Sequence, residues 1–185
     1  MRRRFHRAIS ALFFLIVVPL PLLANDTIRL PQGIIKVTPA RTAPPLRLKD
    51  DNGQAFDLSQ QRGKWVFVHF WASWCGPCVR EIPHIQILKN QLKDPDFLIV
   101  LINTAETEDT IFSFLSATAP QLHTLMDEDG QVSEAWAPRG LPSTYFVDPK
   151  GVIRYMALGG RPWDSAEYQN FIKALLKQAP QKIKR

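Results

Sequence analysis

The sequence predicts a three-layer α/β sandwich around a mixed central sheet, and three features carry that expectation. Two runs, KWVFVHFWA at 64–72 and DFLIVLIN at 96–103, are too continuously apolar for half-exposed strands and suit strands buried on both faces. Between them, VREIPHIQILKNQLK at 79–93 places Val79, Ile82, Ile85, Leu88 and Leu92 at helical spacing. Downstream, STYFVDPKGVIRYMALGG at 143–160 alternates across a Pro-Lys-Gly turn and reads as a hairpin, followed by a closing helix in DSAEYQNFIKALLKQA at 164–179.

The remaining elements fill in around this frame. Leu46, Leu48, Phe56 and Leu58 flank an Asp-Asn-Gly turn, which predicts an N-terminal hairpin. TEDTIFSFLSATA, from Thr107, predicts a helix capped by that threonine with Ile111, Phe114 and Leu115 on its apolar face. HTLMDEDG is read as a short strand and turn, and QVSEAWA as a short helix. Asp164 or Ser165 is the expected cap of the closing helix.

Three segments are expected along the chain. Residues 1–24 join a basic head, an apolar stretch from Ala8 to Val18 and a small residue at Ala24, the pattern of an export signal. A helix over Ala8–Val18 covers only about 17 Å, short of the roughly 30 Å hydrocarbon core, and Pro19 and Pro21 interrupt it. Cleavage is therefore the expectation, with a retained N-terminal anchor as the alternative. In both cases the positive head stays in the cytoplasm and the domain is carried to the periplasm or the outer face of the inner membrane. Residues 25–45 carry four prolines without a sustained pattern, which predicts a spacer or extended wrap. The domain proper is expected over 46–180.

Charge narrows the partner classes. The net charge of +6 is concentrated in the leader: Arg2, Arg3, Arg4 and Arg7 lie within 1–24, which holds no acid. The remaining 19 basic residues stand against 17 acidic ones. Nucleic-acid binding needs a basic face on the folded domain, and the composition supplies none.

The two cysteines, Cys75 and Cys78 of FWASWCGPCVREIP, are separated by only two residues. A disulfide stabilises a fold more as the loop it closes lengthens, so a pair this close is poorly placed as a staple and well placed for redox chemistry. Cys75 falls where a strand ends and a helix begins, so its sulfur faces free backbone N–H groups and the positive end of the helix dipole. Such a setting can lower a thiol from about 8.5 to between roughly 3.5 and 7.5. Cys75 is the expected nucleophile and Cys78, one turn deeper, the resolving thiol.

FWASWCGPC together with the distant proline of GLPSTYFVD resembles the thioredoxin fold, and the chain over about 46–178 is similar to the TlpA/ResA-like branch of exported thiol-disulfide oxidoreductases. The leader, Glu81 in CVREIP, and a Cys78–Pro142 separation wide enough for a helix-strand insertion at 107–127 place it in that branch. The resemblance implies that Pro142 is a cis-proline beside the disulfide and that Leu141 offers its backbone to an extended client, with Trp74 exposed at the same site. It implies a reductase of client disulfides with no cofactor. Electrons would come from a membrane thiol donor of the CcdA/DsbD kind, and the client would be an apocytochrome c or another exported protein with reducible cysteines. The chain departs from plain thioredoxins in carrying His69 where they have a buried aspartate.

Several roles remain open on the residues alone. Glu81, three residues past Cys78, either tunes the thiols and relays a proton or is an ordinary first-turn acid. His69 is read first as a buried core histidine and second as a proton relay. Trp71 and Pro83 are expected to pack and to bend the helix. The rival functions are a disulfide oxidant or isomerase, a general thiol buffer, and a metal chaperone using the cysteines with His69 or His84, although a closed zinc site wants four ligands. A thiol peroxidase would want a lone activated cysteine, and haem attachment fails because Val79 follows the motif.

Overall fold

The computed structural model describes residues 28–178, so the leader expected at 1–24 lies outside the described residues. The elements are β1 (Ile34–Thr42), β2 (Arg47–Lys49), β3 (Ala55–Asp57), β4 (Trp65–Trp71), α1 (Gly76–Gln91), β5 (Phe97–Thr104), α2 (Glu108–Thr118), β6 (Thr124–Asp127), α3 (Gln131–Trp136), β7 (Ser143–Val147), β8 (Val152–Leu158) and α4 (Ala166–Gln178). Six strands form one sheet in the order β1-β8-β7-β4-β5-β6. β4 runs parallel to β5 and antiparallel to β7, which makes the sheet mixed, as its sequence pattern requires.

The continuous apolar character of β4 follows from its central place. Successive side chains of a strand point to opposite faces. Trp65, Phe67 and Trp71 enter one core with Ile82, Ile85 and Leu88 of α1 and Phe171, Ile172 and Leu175 of α4. Val66, Val68 and Phe70 enter a second core with Leu46, Leu58, Trp136 and Tyr145. Both faces are covered, one by α1, α2 and α4 and the other by α3 and the β2–β3 hairpin. Burying each of the large apolar side chains of α1 contributes about 1.5–3 kcal/mol, which fixes the helix whose first residues carry the cysteines.

The spacer expected at 25–45 is only partly a spacer. Residues 34–42 form β1, the edge strand of the main sheet, with Ile34 opposite Ala157 and Thr42 opposite Val152. The register is irregular between Lys36 and Arg41, where Pro39 stands. Proline removes a ladder donor and so is tolerated at an edge or bulge, which is how a proline-bearing segment without alternation still becomes a strand. The ordered fold thus begins well ahead of residue 46, and the Tyr168 hydroxyl donates to the Gln32 carbonyl at 2.8 Å.

Two caps differ in detail from their expectation. Thr107 does precede α2, but its hydroxyl meets that of Thr110 and makes no bond to a helix N–H, leaving Glu108 and Asp109 to complement the dipole. Ahead of α4 the Ser165 carbonyl accepts from the Gln169 N–H at 3.1 Å. The Asp164 carboxylate turns to His84.

Candidate active site

β4 ends at Trp71, and the chain turns over the next four residues into the helix that carries the cysteines. Trp71 is fully buried and donates from Nε1 to Thr124 Oγ1 at 3.0 Å, tying the end of β4 to β6. The Cys75 N–H then donates to the Ala72 carbonyl at 3.2 Å, closing the turn. Cys75 is the N-cap of α1, with extended φ and ψ of −85° and 100°, and its Sγ accepts the Cys78 N–H at 3.3 Å.

Cys75 and Cys78 are joined in a disulfide with their Cα atoms 5.2 Å apart. Cys75 is 6% exposed and Cys78 fully buried. The expected nucleophile thus presents only a small part of its surface, although it is the more accessible of the two. Trp74 beside it is 69% exposed. Gly76 and Pro77 add no side-chain donor, and Pro77 also lacks an N–H, so the Cys78 amide is the donor that meets the sulfur.

Sequence reasoning passed over Glu106. Its carboxylate accepts from the Ser73 N–H at 2.7 Å, from the Ser73 hydroxyl, and from Asn103 Nδ2 at 2.7 Å. It thereby clamps the turn before Cys75 to the end of β5. Ala105 adopts a left-handed φ of 57°, unusual for a residue with a Cβ, and this reversal brings Glu106 back over the strand end. The available signal was an acid just beyond the carboxyl end of a parallel strand, where α/β sheets build their sites.

Glu81 lies on α1 and is 2% exposed. Its Oε1 accepts from Trp163 Nε1, while Oε2 has no partner among the described residues. Burial pushes the carboxyl up to about 8, opposed by the Trp163 hydrogen bond, the Arg161 N–H and the Arg161 charge. The group thus holds a proton at neutral pH. Glu81 is not a first-turn acid: it lies beyond the first turn of α1, and the helix turns it inward, against Gly160, where an added Cβ would approach the Pro77 carbonyl to 3.3 Å.

His69 sits on β4 and is also fully buried. Nδ1 is 2.9 Å from Thr144 Oγ1, Nε2 is unpartnered, and the ring stacks on Phe67. Burial pushes the imidazole down to about 3, so it stays neutral at physiological pH. A neutral, stacked imidazole in the sheet interior fits the reading as a core histidine better than that of a proton relay.

Register places the last pair. Ser143 lies opposite Phe70, so Leu141 and Pro142 enter β7 at the end of the sheet where β4 delivers the cysteines. The Leu141–Pro142 bond is cis, and the Pro142 carbonyl accepts from the Gly159 N–H at 2.9 Å. Pro83 lies inside α1. Among the described residues there is no group of three or more His, Cys, Asp or Glu side chains arranged to hold a metal ion.

Residues 39–156 match the AhpC/TSA family. The chain belongs to that family. It is 30% identical over 142 residues to the thiol-disulfide oxidoreductase ResA of Bacillus subtilis (strain 168), covering 76% of this chain and 79% of that one. It is 32% identical over 118 residues to the ResA of Geobacillus kaustophilus, covering 64% and 68%. A crystal structure assigned as thiol:disulfide interchange protein DsbE from Chlorobium tepidum superposes with a TM-score of 0.67 at 28% identity, covering 74% of this chain and 96% of that one. With its paired cysteines at a helix N-terminus, the AhpC/TSA chain is a thiol-disulfide oxidoreductase of the thioredoxin fold, of ResA/DsbE type.

Proposed function

We propose that this oxidoreductase works as a reductase of client disulfides outside the cytoplasmic membrane, with cytochrome c maturation as its setting. The observation that carries the reading is the sparse support of the Cys75 sulfur. One backbone N–H meets it, and the two intervening residues offer no side-chain donor. A strongly stabilised thiolate favours the reduced protein and makes an oxidant, whereas modest stabilisation leaves the dithiol willing to give up its electrons.

The steps balance without a cofactor. The Cys75 thiolate attacks one sulfur of a client disulfide, and the other client sulfur leaves as a thiolate. Glu81, in its ionised form, accepts the Cys78 proton. The Cys78 sulfur then attacks Cys75 Sγ and expels the second client sulfur, so the client gains the two electrons that the dithiol loses. A membrane dithiol donor of the CcdA/DsbD kind restores Cys75 and Cys78. Trp74 and the backbone at Leu141–Pro142 receive the client, and the leader at 1–24 carries the domain to the periplasm or the outer membrane face.

The test uses Cys78→Ser in the full chain. Attack by Cys75 still occurs, but no second sulfur releases the client, so a mixed disulfide accumulates in acid-quenched, alkylated cells. A Cys75-dependent adduct with a c-type cytochrome precursor or a small set of exported proteins is the expected result. No such adduct, while the native protein cycles between its redox forms, transfers the weight to a general thiol buffer.

A further inference from the structure

A cavity of about 340 Å³ opens between α1 and the loop after β8, and its wall includes both Glu81 and His84. Cys78, Glu81 and His84 stand three residues apart on α1. Each step of three falls about 60° short of a full turn, so the series winds steadily around the helix from core to surface. Cys78 and Glu81 are buried, and the His84 side chain is 43% exposed.

The imidazole is held in place from the other side. His84 Nδ1 is 2.8 Å from Asp164 Oδ1, ahead of α4. With Nδ1 donating to the carboxylate, Nε2 is left as the nitrogen that can take a proton. The other charged and titratable groups around the line are Arg80 on α1, Arg161 on the loop after β8, and Glu167 and Tyr168 on α4.

We propose that His84 carries protons between the Glu81 carboxyl and solvent during thiol-disulfide exchange. The inference rests on Glu81 being the proton partner of Cys78. Glu81 holds its own proton near neutrality, so it must empty before it can accept the one from Cys78, and empty again afterwards. With Glu81 enclosed by Trp163, Arg161 and Gly160, the cavity wall is the way out, and His84 is the group there whose second ring nitrogen can accept a proton and pass it on. Each transfer moves one proton from the Glu81 carboxyl to His84 Nε2 and one from His84 to water, leaving the imidazole as it began.

The test mixes the reduced full chain with a chromogenic aryl disulfide. The first aryl thiolate released reports attack by Cys75, and the second reports resolution by Cys78. His84→Ala should slow the second phase about tenfold below pH 7 and leave the first within about twofold. The expected loss is smaller than the roughly hundredfold typical of a direct acid–base group, because water also enters the cavity. Added imidazole should restore most of the second phase, since the cavity has room for it. A second phase equal to the native one, or a slow one that imidazole leaves unchanged, overturns the relay. Glu81→Gln is run alongside. If it too leaves the second phase native, the role of Glu81 fails and the relay with it; if it slows that phase and His84→Ala does not, only the role of His84 falls.

Discussion

His69 and Glu81 are both ionisable, both buried, and both close in sequence to the cysteines, yet they are opposite kinds of site. His69 stands in the middle of the sheet, between Phe67 and Thr144, and burial drives it to its neutral form far from physiological pH. Glu81 stands at the edge of α1, where Trp163 donates to one oxygen and a cavity touches the residue, and burial brings its titration up to about 8. Desolvation acts on both. For the acid it moves the pKa into the working range, and for the base it moves the pKa out. Burial alone therefore does not make a proton carrier; the sign of the shift and a route to water decide.

The largest effect that would break this contrast concerns stability. Glu81 binds its proton more tightly in the folded state, about 8 against 4.5, so the native protein loses stability as pH rises between those values. The full shift corresponds to roughly 4–5 kcal/mol. Glu81→Gln removes that loss, although its amide N–H groups lack a partner and take back about 1–3 kcal/mol. Denaturant unfolding of the disulfide form should show the variant less stable than native at pH 4 and more stable at pH 8, on the order of 2 kcal/mol each way. Parallel pH dependences for the two proteins would mean that the carboxyl is not desolvated.

His69 sharpens the contrast from the other side. Its folded value of about 3 lies below the usual 6.5, so the native protein loses stability as pH falls between those values, by about 3 kcal/mol at pH 4. His69→Asn should flatten this acid limb in the same unfolding experiment while the exchange rate keeps its native pH midpoint. A moved midpoint would return His69 to the proton chemistry. A smaller effect is expected at Glu106, which positions the turn and lies off the proton route. Glu106→Gln weakens charge-assisted bonds to Ser73 and Asn103, at about 1–2 kcal/mol, and should slow Cys75 alkylation several-fold without shifting the pH dependence of the resolving step.

The sequence made the scaffold legible because burial on both faces leaves an unmistakable pattern in β4 and β5, and CGPC between a strand and a helix placed the redox pair. It did not reveal β1, since a proline-bearing edge strand lacks alternation. Nor did it show that Glu81 turns inward: the helical spacing gives its face, but Trp163 and Gly160, which enclose it, lie some eighty residues away. Glu106 and Asp164 escaped for the same reason. Ser73 reaches Glu106 only when β5 pairs beside β4, and His84 reaches Asp164 only when α4 packs against α1, and an acid beside a strand end or a helix start looks ordinary in one dimension.

The most direct measurement is a titration of the Glu81 carboxyl in the disulfide form, followed by carbon NMR on protein labelled at glutamate side chains and assigned with Glu81→Gln. A single carboxyl titrating near 8, absent from the variant, is the expected result. A Glu81 signal titrating near the ordinary 4.5 would contradict the buried, protonated carboxyl on which the proton chemistry of this site depends.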